Sequence, residues 1–507
     1  MKKILSRRVL LFLTLLSATF LMFVLFQTQM LPVKYLVVIA TLLFVIVLLL
    51  YKGECDKDNK HPIRVVLLKL VNVLLAIALV FASLLILKGD DFITAIAGAK
   101  EETIEIDVVV MKNSTYQNLS DLKEKKFGAN TSVDMINMNK AEILIEDEIG
   151  DIDVESYSSD SELLKNLEDD TIQVMIIKSV DIEALNDIEE GLDERIRIVD
   201  KLSIKIPSVE ANSAEVTKEP FNVLVLGTDK RGDISRADAL SDVNMIATIN
   251  PKTKQILITS IPRDYYVDLY NDGQNVGKDK LTHSAKKGTQ CTQSTLENLL
   301  GIDLNYYAKF NFTSFEGIVD ALGGVEVDIP KYRVIGNDDG VFTTKIYKYQ
   351  MKPGKTVMDG KHALAFVRER KSFLLGDNAR NQNQMLVLKA IMKKCTDLSV
   401  VTKIDDILGS VSESFTTNMP ESDIKSLINM QMDDLSKWDI QSYHLEGDDG
   451  KRVFQLATVS EEIIRRANKD GLYVMDPYQE TIDQAKEYIR IVMEGKEILK
   501  IDKKENS

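Results

Sequence analysis

A chain of 507 residues, 45% of them apolar, holds enough material for two or three hydrophobic cores. Its formal charge of −14, from 77 acidic against 63 basic residues, argues against nucleic acid as a partner. Three cysteines and four histidines show no spacing that resembles a zinc site, and Cys291 and Cys395 would pair only if the fold brought them together.

The apolar residues are concentrated in residues 1–90, where runs at 9–26, 35–51 and 65–87 each approach the ~20 residues that cross a bilayer. Lys69 lies near enough to the end of the third run to snorkel. A cleaved signal peptide competes for the first run, but no small-residue cleavage site follows before the second begins. Lys2, Lys3, Arg7 and Arg8 precede the first run, and Lys52, Lys57, Lys60 and Arg64 crowd the loop between the second and third. Positive loops stay inside. The expectation is a cell-membrane protein with three spans, a cytoplasmic N-terminus, and everything after about Lys88 outside the cell, where an acidic surface favours solubility.

Residues 101–206 alternate short strands with helical stretches: 103–110 and 172–178 read as strands, 134–146 as a helix, and 195–199 as a closing strand. This predicts a small α/β unit without clustered catalytic groups, hence an accessory domain. Residues 207–220, rich in Ser, Glu, Thr and Ala, read as a linker. A larger α/β domain is predicted over 221–507, with strands at 222–227, 243–249 and 255–261, the last two joined by a turn at 251–254. Helical spacing follows at 385–395, 422–432 and 479–496, which predicts a central mixed sheet flanked by helices and a helical C-terminal part. The stretch 431–449, with the single tryptophan Trp438, receives no assignment.

Four polar groups stand at strand ends or in loops of this domain. Gly227, Thr228 and Asp229 close a buried strand, where residues of open α/β sheets face the ligand crevice. Asp242 precedes the next strand, and Arg263 with Asp264 follows its partner. The fourth group is Arg368 and Arg370, followed by Asp377, Arg380 and Gln384. Were 366–370 a strand, Arg368 and Arg370 would share one face, with Val367 and Glu369 on the other. Arginine keeps its charge and presents a planar fork of donors, so such a clamp suits phosphate or pyrophosphate. The competing reading is an ion-pair set with Glu369 and Asp377, of the kind that contributes little on a surface.

The order of these groups, together with Lys280 to His283, the Ala-Leu-Gly-Gly-Val turn ending at Val325, and the stretch from Met358 to Leu364, resembles the LytR-CpsA-Psr family over about 221–390. The three spans and the accessory unit resemble its CpsA-type, capsule-associated members. The resemblance implies a membrane-anchored phosphotransferase of Gram-positive bacteria. Such an enzyme moves a glycopolymer, capsular polysaccharide or wall teichoic acid, from a polyprenyl pyrophosphate carrier to peptidoglycan through a phosphodiester. It implies further that Arg263, Arg368, Arg370 and Arg380 grip the pyrophosphate, with Gln384 and Lys280 adding donors, and that Asp229 and Asp242 hold Mg2+ (or Mn2+). Asp242 would also take the proton of the attacking sugar hydroxyl, and an apolar tunnel in the same domain would hold the polyprenyl tail.

One departure stands out: where the family usually carries an arginine two places before the second aspartate, this chain has Leu240. Arg236 and Asp238 are the alternative placement of that motif, and Arg236 a possible compensation; Asp242 is preferred because it sits at the mouth of the strand that starts at Val243. Asp264 is expected to orient Arg263, and His283 and His362 to be packed or hydrogen-bonded. Two other functional readings compete: a polyprenyl-phosphate receptor of the envelope, and a lipid pyrophosphatase.

Overall fold

The computed structural model describes residues 7–55, 62–188, 191–228, 234–336, 338–374, 376–395, 415–448 and 450–498. Three helices open the chain, α1 (Arg7–Thr28), α2 (Val33–Cys55) and α3 (Pro62–Ile96), all long and apolar enough to cross a membrane. With water absent, a buried polar side chain in such helices needs a partner. Thr14 of α1 finds one in α3, its hydroxyl donating to Asn72 Oδ1 at 3.0 Å.

At 35 residues α3 is about 50 Å long, well beyond a hydrocarbon core of about 30 Å. Its end reaches α11 (Glu421–Asp434), where Asp90 pairs with Lys425 at 2.5 Å and Thr94 donates to Glu421 at 3.1 Å. Near the junction of α1 and α2, Tyr35 donates to the Met432 carbonyl at 2.8 Å and Asn429 to that of Gln29 at 3.0 Å. The membrane helices and the folded part are therefore joined at two points rather than by a loose tether.

The first α/β unit comprises β1 (Glu101–Met111), β2 (Lys126–Asn130), α4 (Thr131–Ile149), β3 (Asp153–Tyr157), α5 (Asp160–Glu168), β4 (Val174–Lys178), α6 (Ser179–Ile188) and β5 (Ile196–Pro207). Its strand order is β3-β2-β4-β1-β5. Alternate residues of β1 serve opposite cores: Ile106, Val108 and Val110 pack with α4, while Val109 packs with α5 and α6.

The second unit is built on β6 (Phe221–Thr228), β7 (Val243–Asn250), β8 (Gln255–Ile261), α7 (Thr289–Leu300), β9 (Tyr306–Asn311), α8 (Phe312–Ala321), α9 (Gly360–Arg368), α10 (Gly376–Cys395), β10 (Phe415–Thr417), α11, β11 (Asp439–His444) and α12 (Gln479–Met493). Its six strands run β10-β9-β6-β7-β8-β11. Pairs β6/β9 and β8/β11 are parallel and the others antiparallel, so the sheet is mixed as expected. Leu224, Ile246 and Leu257 face α7 and α12, whereas Met245, Ile256 and Ile258 face Met385, Leu388 and Met392 of α10.

Two expectations need correction. The C-terminal part is not simply helical: β11, in the stretch left unassigned, extends the sheet, and short strand pairs join Gly447–Asp448 to Asp476–Pro477 and Arg452–Val453 to Leu472–Tyr473. Residues 208–220 do not hang free as a linker, because Val209 and Val216 are buried in cores of the second unit and Asn212 donates its N–H to Asn305 at 3.0 Å. The two α/β units also share buried ion pairs, Lys286 with Asp181 at 2.9 Å and Lys309 with Glu102.

Gly360 lets α9 lie against α8: its N–H donates to Asp320 Oδ1 at 2.6 Å, and a Cβ would collide with the carbonyl oxygen of Glu316. Backbone cannot yield as a flexible side chain does, so Gly360→Ala is expected to cost about 1–3 kcal/mol. Thermal unfolding of the full chain in detergent would then show a Tm several degrees lower, and an unchanged Tm would contradict this packing account.

Candidate functional site

The β7–β8 hairpin sets the centre of the site. Its antiparallel register places Asn244 opposite Ile261, so the residue before β7 and those after β8 emerge side by side. The N–H of Asp242 bonds to the Gly227 carbonyl at 2.9 Å, which brings the end of β6 to the same place. There Asp242 forms an ion pair with Arg263. Behind them Asp264 is buried, with Oδ2 3.5 Å from Arg263 Nε and Oδ1 3.0 Å from Lys280 Nζ. Burial alone would raise the Asp264 carboxyl, but the charges of Lys280 and Arg263 outweigh it and hold the group at about 2.

The arginine clamp is built differently from the expectation. Residues 366–370 are not a strand: α9 starts from the Asp359 cap, whose carboxylate accepts the His362 N–H at 2.8 Å, and runs to Arg368 with Ala363, Phe366 and Val367 buried. Arg368 is thus the last helical residue and Arg370 lies in the following turn. That turn is fixed by buried Glu369, which accepts the N–H groups of Lys345 at 2.5 Å and Ser372 at 3.0 Å. Arg380 and Gln384 share a face of α10 one turn apart, with 8% and 6% of their surfaces exposed. Asn383 locks α10 to α9 by donating to the Phe366 carbonyl at 2.9 Å while accepting from Tyr332 at 2.6 Å.

Asp242, Arg263, Arg368, Arg370, Arg380 and Gln384 all line one cavity of 570 Å³. Lys345 and Lys371 join them, as do Glu183 and Asn186 from α6 of the first unit. Among the described lining residues, six basic side chains face three acidic ones, so the cavity attracts an anion. Lys280 is not in the lining; it stands behind Arg263, held by Asp264, and reaches the site only through them. Asp229 lies outside the described residues, as does the side chain of Asp377.

The alternative pair, Arg236 and Asp238, lies in the interior, whereas Asp242 lines the cavity. Asp238 is fully buried against Arg236 Nε at 3.2 Å, and burial pushes its carboxyl up to about 6 despite that charge. Arg236 also reaches Glu105 at 3.2 Å and Glu183 at 3.3 Å, so it braces the junction of the two units, and it is not among the residues that line the cavity at Leu240. Leu240 itself lines the cavity. His283 donates its Nδ1–H to the Asp279 carboxylate at 2.7 Å, His362 bonds Asp359 and stacks on Tyr349, and neither is among the cavity-lining residues. Cys291 is a free buried thiol, pushed up to about 11 by burial, and the side chain of Cys395 lies outside the described residues.

Among the described residues, no three acidic, histidine or cysteine side chains come together as a metal site. A hard divalent ion needs only one or two carboxylates when phosphate oxygens and water supply the rest. Asp242 offers one at the cavity wall beside Thr228, so the donor chemistry fits such an ion.

Fold and site together define an α/β protein with a basic cavity at the strand ends, joined to three apolar helices. The chain belongs to the LytR_cpsA_psr family, whose profile matches residues 187–487. Among its relatives, the polyisoprenyl-teichoic acid–peptidoglycan teichoic acid transferase TagU of Bacillus licheniformis is 36% identical over 230 residues, 45% of this chain and 65% of that protein. TagU of Enterococcus faecalis is 32% identical over 242 residues, 48% of this chain and 73% of that protein. The chain therefore spans just under two thirds of the first of these relatives. The crystal structure of B. subtilis TagV, 25% identical, covers 55% of this chain and 99% of its own, with a TM-score of 0.42.

The depressed Asp264 carboxyl has a pH consequence. A folded value of about 2 against an ordinary 3.8 contributes stability that is full above about pH 4 and is lost as pH falls toward 2. Asp264→Asn is expected to flatten that acid limb in a denaturant titration at several pH values; an unchanged slope would show that Asp264 does not carry it.

Proposed function

We propose that the protein is a phosphotransferase that takes a glycopolymer from a polyprenyl pyrophosphate carrier and joins it to peptidoglycan by a phosphodiester. The observation that carries this reading is the convergence of Arg263, Arg368, Arg370 and Arg380 on one cavity whose wall also holds Asp242. Four arginines, offset in part by Asp242, leave an excess of positive charge for the two negative charges of a pyrophosphate diester, and phosphoryl transfer asks for positioning and neutralisation rather than a protein nucleophile.

In this reading an acceptor hydroxyl attacks the phosphorus that carries the glycan. A new P–O bond forms, the bond to the bridging oxygen breaks, and polyprenyl phosphate leaves with the electron pair. Asp242 takes the hydroxyl proton. Arg263, aligned by Asp264, and Arg380 on α10 bind the pyrophosphate oxygens, and Gln384 adds a neutral donor. Magnesium, or manganese, would be held by Asp242 and, on the sequence reading, Asp229, and when bound would neutralise phosphate charge. Lys280 supports Arg263 through Asp264. The partly buried side chains of Met385, Leu388 and Met392, between α10 and the sheet, supply apolar surface for a polyprenyl tail.

The names of the relatives favour teichoic acid as the glycopolymer and peptidoglycan as the acceptor. Three apolar helices with basic residues before the first and between the second and third support an arrangement with the cavity outside the cell, where both substrates are found.

Purified full-length protein given lipid-linked oligosaccharide, magnesium and peptidoglycan fragments should form a glycan–peptidoglycan product. Arg263→Ala and Arg370→Ala should each lower the rate by about 10²-fold or more. Binding without turnover would favour a receptor, and release of the phosphorylated glycan to water regardless of acceptor would favour a pyrophosphatase; either would overturn the transferase reading.

A further inference from the structure

Helix α6 belongs to the first α/β unit, yet Glu183 and Asn186 on it form part of the wall of the cavity otherwise built by the second unit. They stand three positions apart and so lie on the same helix face. The placement is held firmly. Asp181 of α6 pairs with buried Lys286 at 2.9 Å, Lys178 donates to the Lys286 carbonyl at 2.8 Å, and Arg236 ties Glu183 to the segment that leads to Asp242. Removing one member of such a buried pair leaves an uncompensated charge. Asn186 is oriented in turn by accepting the Asp193 N–H at 3.4 Å.

The chemistry of this wall differs from the rest. Arginines and lysines dominate the side of α9, α10 and Lys345, whereas α6 brings a carboxylate and a carboxamide. A carboxylate repels phosphate oxygens but accepts hydrogen bonds from hydroxyls, and a carboxamide both donates and accepts. That pair suits a neutral polyol. A cavity of 570 Å³ is also larger than a pyrophosphate alone requires.

We propose that Glu183 and Asn186 recognise the hydroxyls of a sugar beside the pyrophosphate, which makes the first α/β unit a specificity-determining part of the site. The sugar is either the first residue of the donor glycan or the acceptor sugar of peptidoglycan, and both present the same hydroxyl chemistry. This rests on the transferase reading for the identity of the ligand, but the test separates the two.

Full-length protein in nanodiscs would be compared with Glu183→Gln and Asn186→Ala, using three probes: sugar-free polyprenyl pyrophosphate, the same lipid bearing a neutral disaccharide, and a soluble peptidoglycan fragment. Loss of a hydrogen bond to a sugar hydroxyl is expected to weaken one sugar-bearing probe about tenfold and leave the sugar-free lipid unchanged. Weakening of the disaccharide lipid assigns the wall to the donor; a tenfold rise in KM or Kd for the fragment, with both lipids unchanged, assigns it to the acceptor. An equal loss for sugar-free and sugar-bearing lipids, or no change beyond about twofold for any probe, overturns the proposal. If the parent protein binds these probes but never turns over, the transferase reading fails while the three affinities still decide the role of α6.

Discussion

The β7–β8 hairpin register is the constraint on which the site depends, because it sets the Asp242 carboxylate against the Arg263 guanidinium at the open end of the sheet. Like charges gathered in one cavity repel one another strongly, so a cluster of arginines and lysines folds stably only if nearby carboxylates compensate it. Asp242 and Asp264 do this for Arg263, and Lys280 in turn balances Asp264. Glu369 acts by another route: buried beneath the turn after α9, it spends its oxygens on the N–H groups of Lys345 and Ser372, which fixes the loop that presents Arg370.

The rest of the architecture keeps that arrangement in register. Asn383 and Tyr332 bind α10 to α9, so Arg380 and Gln384 cannot drift from Arg368. Arg236 joins three carboxylates, Asp238, Glu105 and Glu183, across the boundary between the two α/β units, which holds α6 at the rim of the cavity. The overlong α3 and the contacts of α11 with the helix ends fix the whole assembly against the apolar helices. The cavity is thereby carried at a set distance from the apolar helices.

Much of this was legible in the sequence, for identifiable reasons. Buried strands such as β6 and β8 announce themselves by continuous apolar runs, and α10 to α12 by helical periodicity. That Asp242 and Arg263 meet was legible because the strands 243–249 and 255–261 and the turn between them bring the start of one beside the end of the other. What failed was local pattern without context. Residues 366–370 alternate as a strand would, yet 366–368 finish a helix whose start is set by Asp359 and 369–370 leave it, and β11 carries too little apolar alternation to be recognised without its partner β8. The place of Lys280 depends on its pairing with Asp264, and Lys345, Glu183 and Asn186 reach the cavity only through long-range packing. No local signal in the sequence marked them, although Lys371 stands directly beside Arg370.

The central claim is that the cavity grips a pyrophosphate rather than any anion, and the most direct measurement compares polyprenyl pyrophosphate with polyprenyl monophosphate as ligands of the full chain in nanodiscs. The account expects the pyrophosphate to bind at least about tenfold more tightly, with the difference collapsing in Arg263→Ala as one phosphate loses its charge-assisted donors. Equal affinity for the two lipids in the parent protein, or a preference that survives the loss of Arg263, would contradict it.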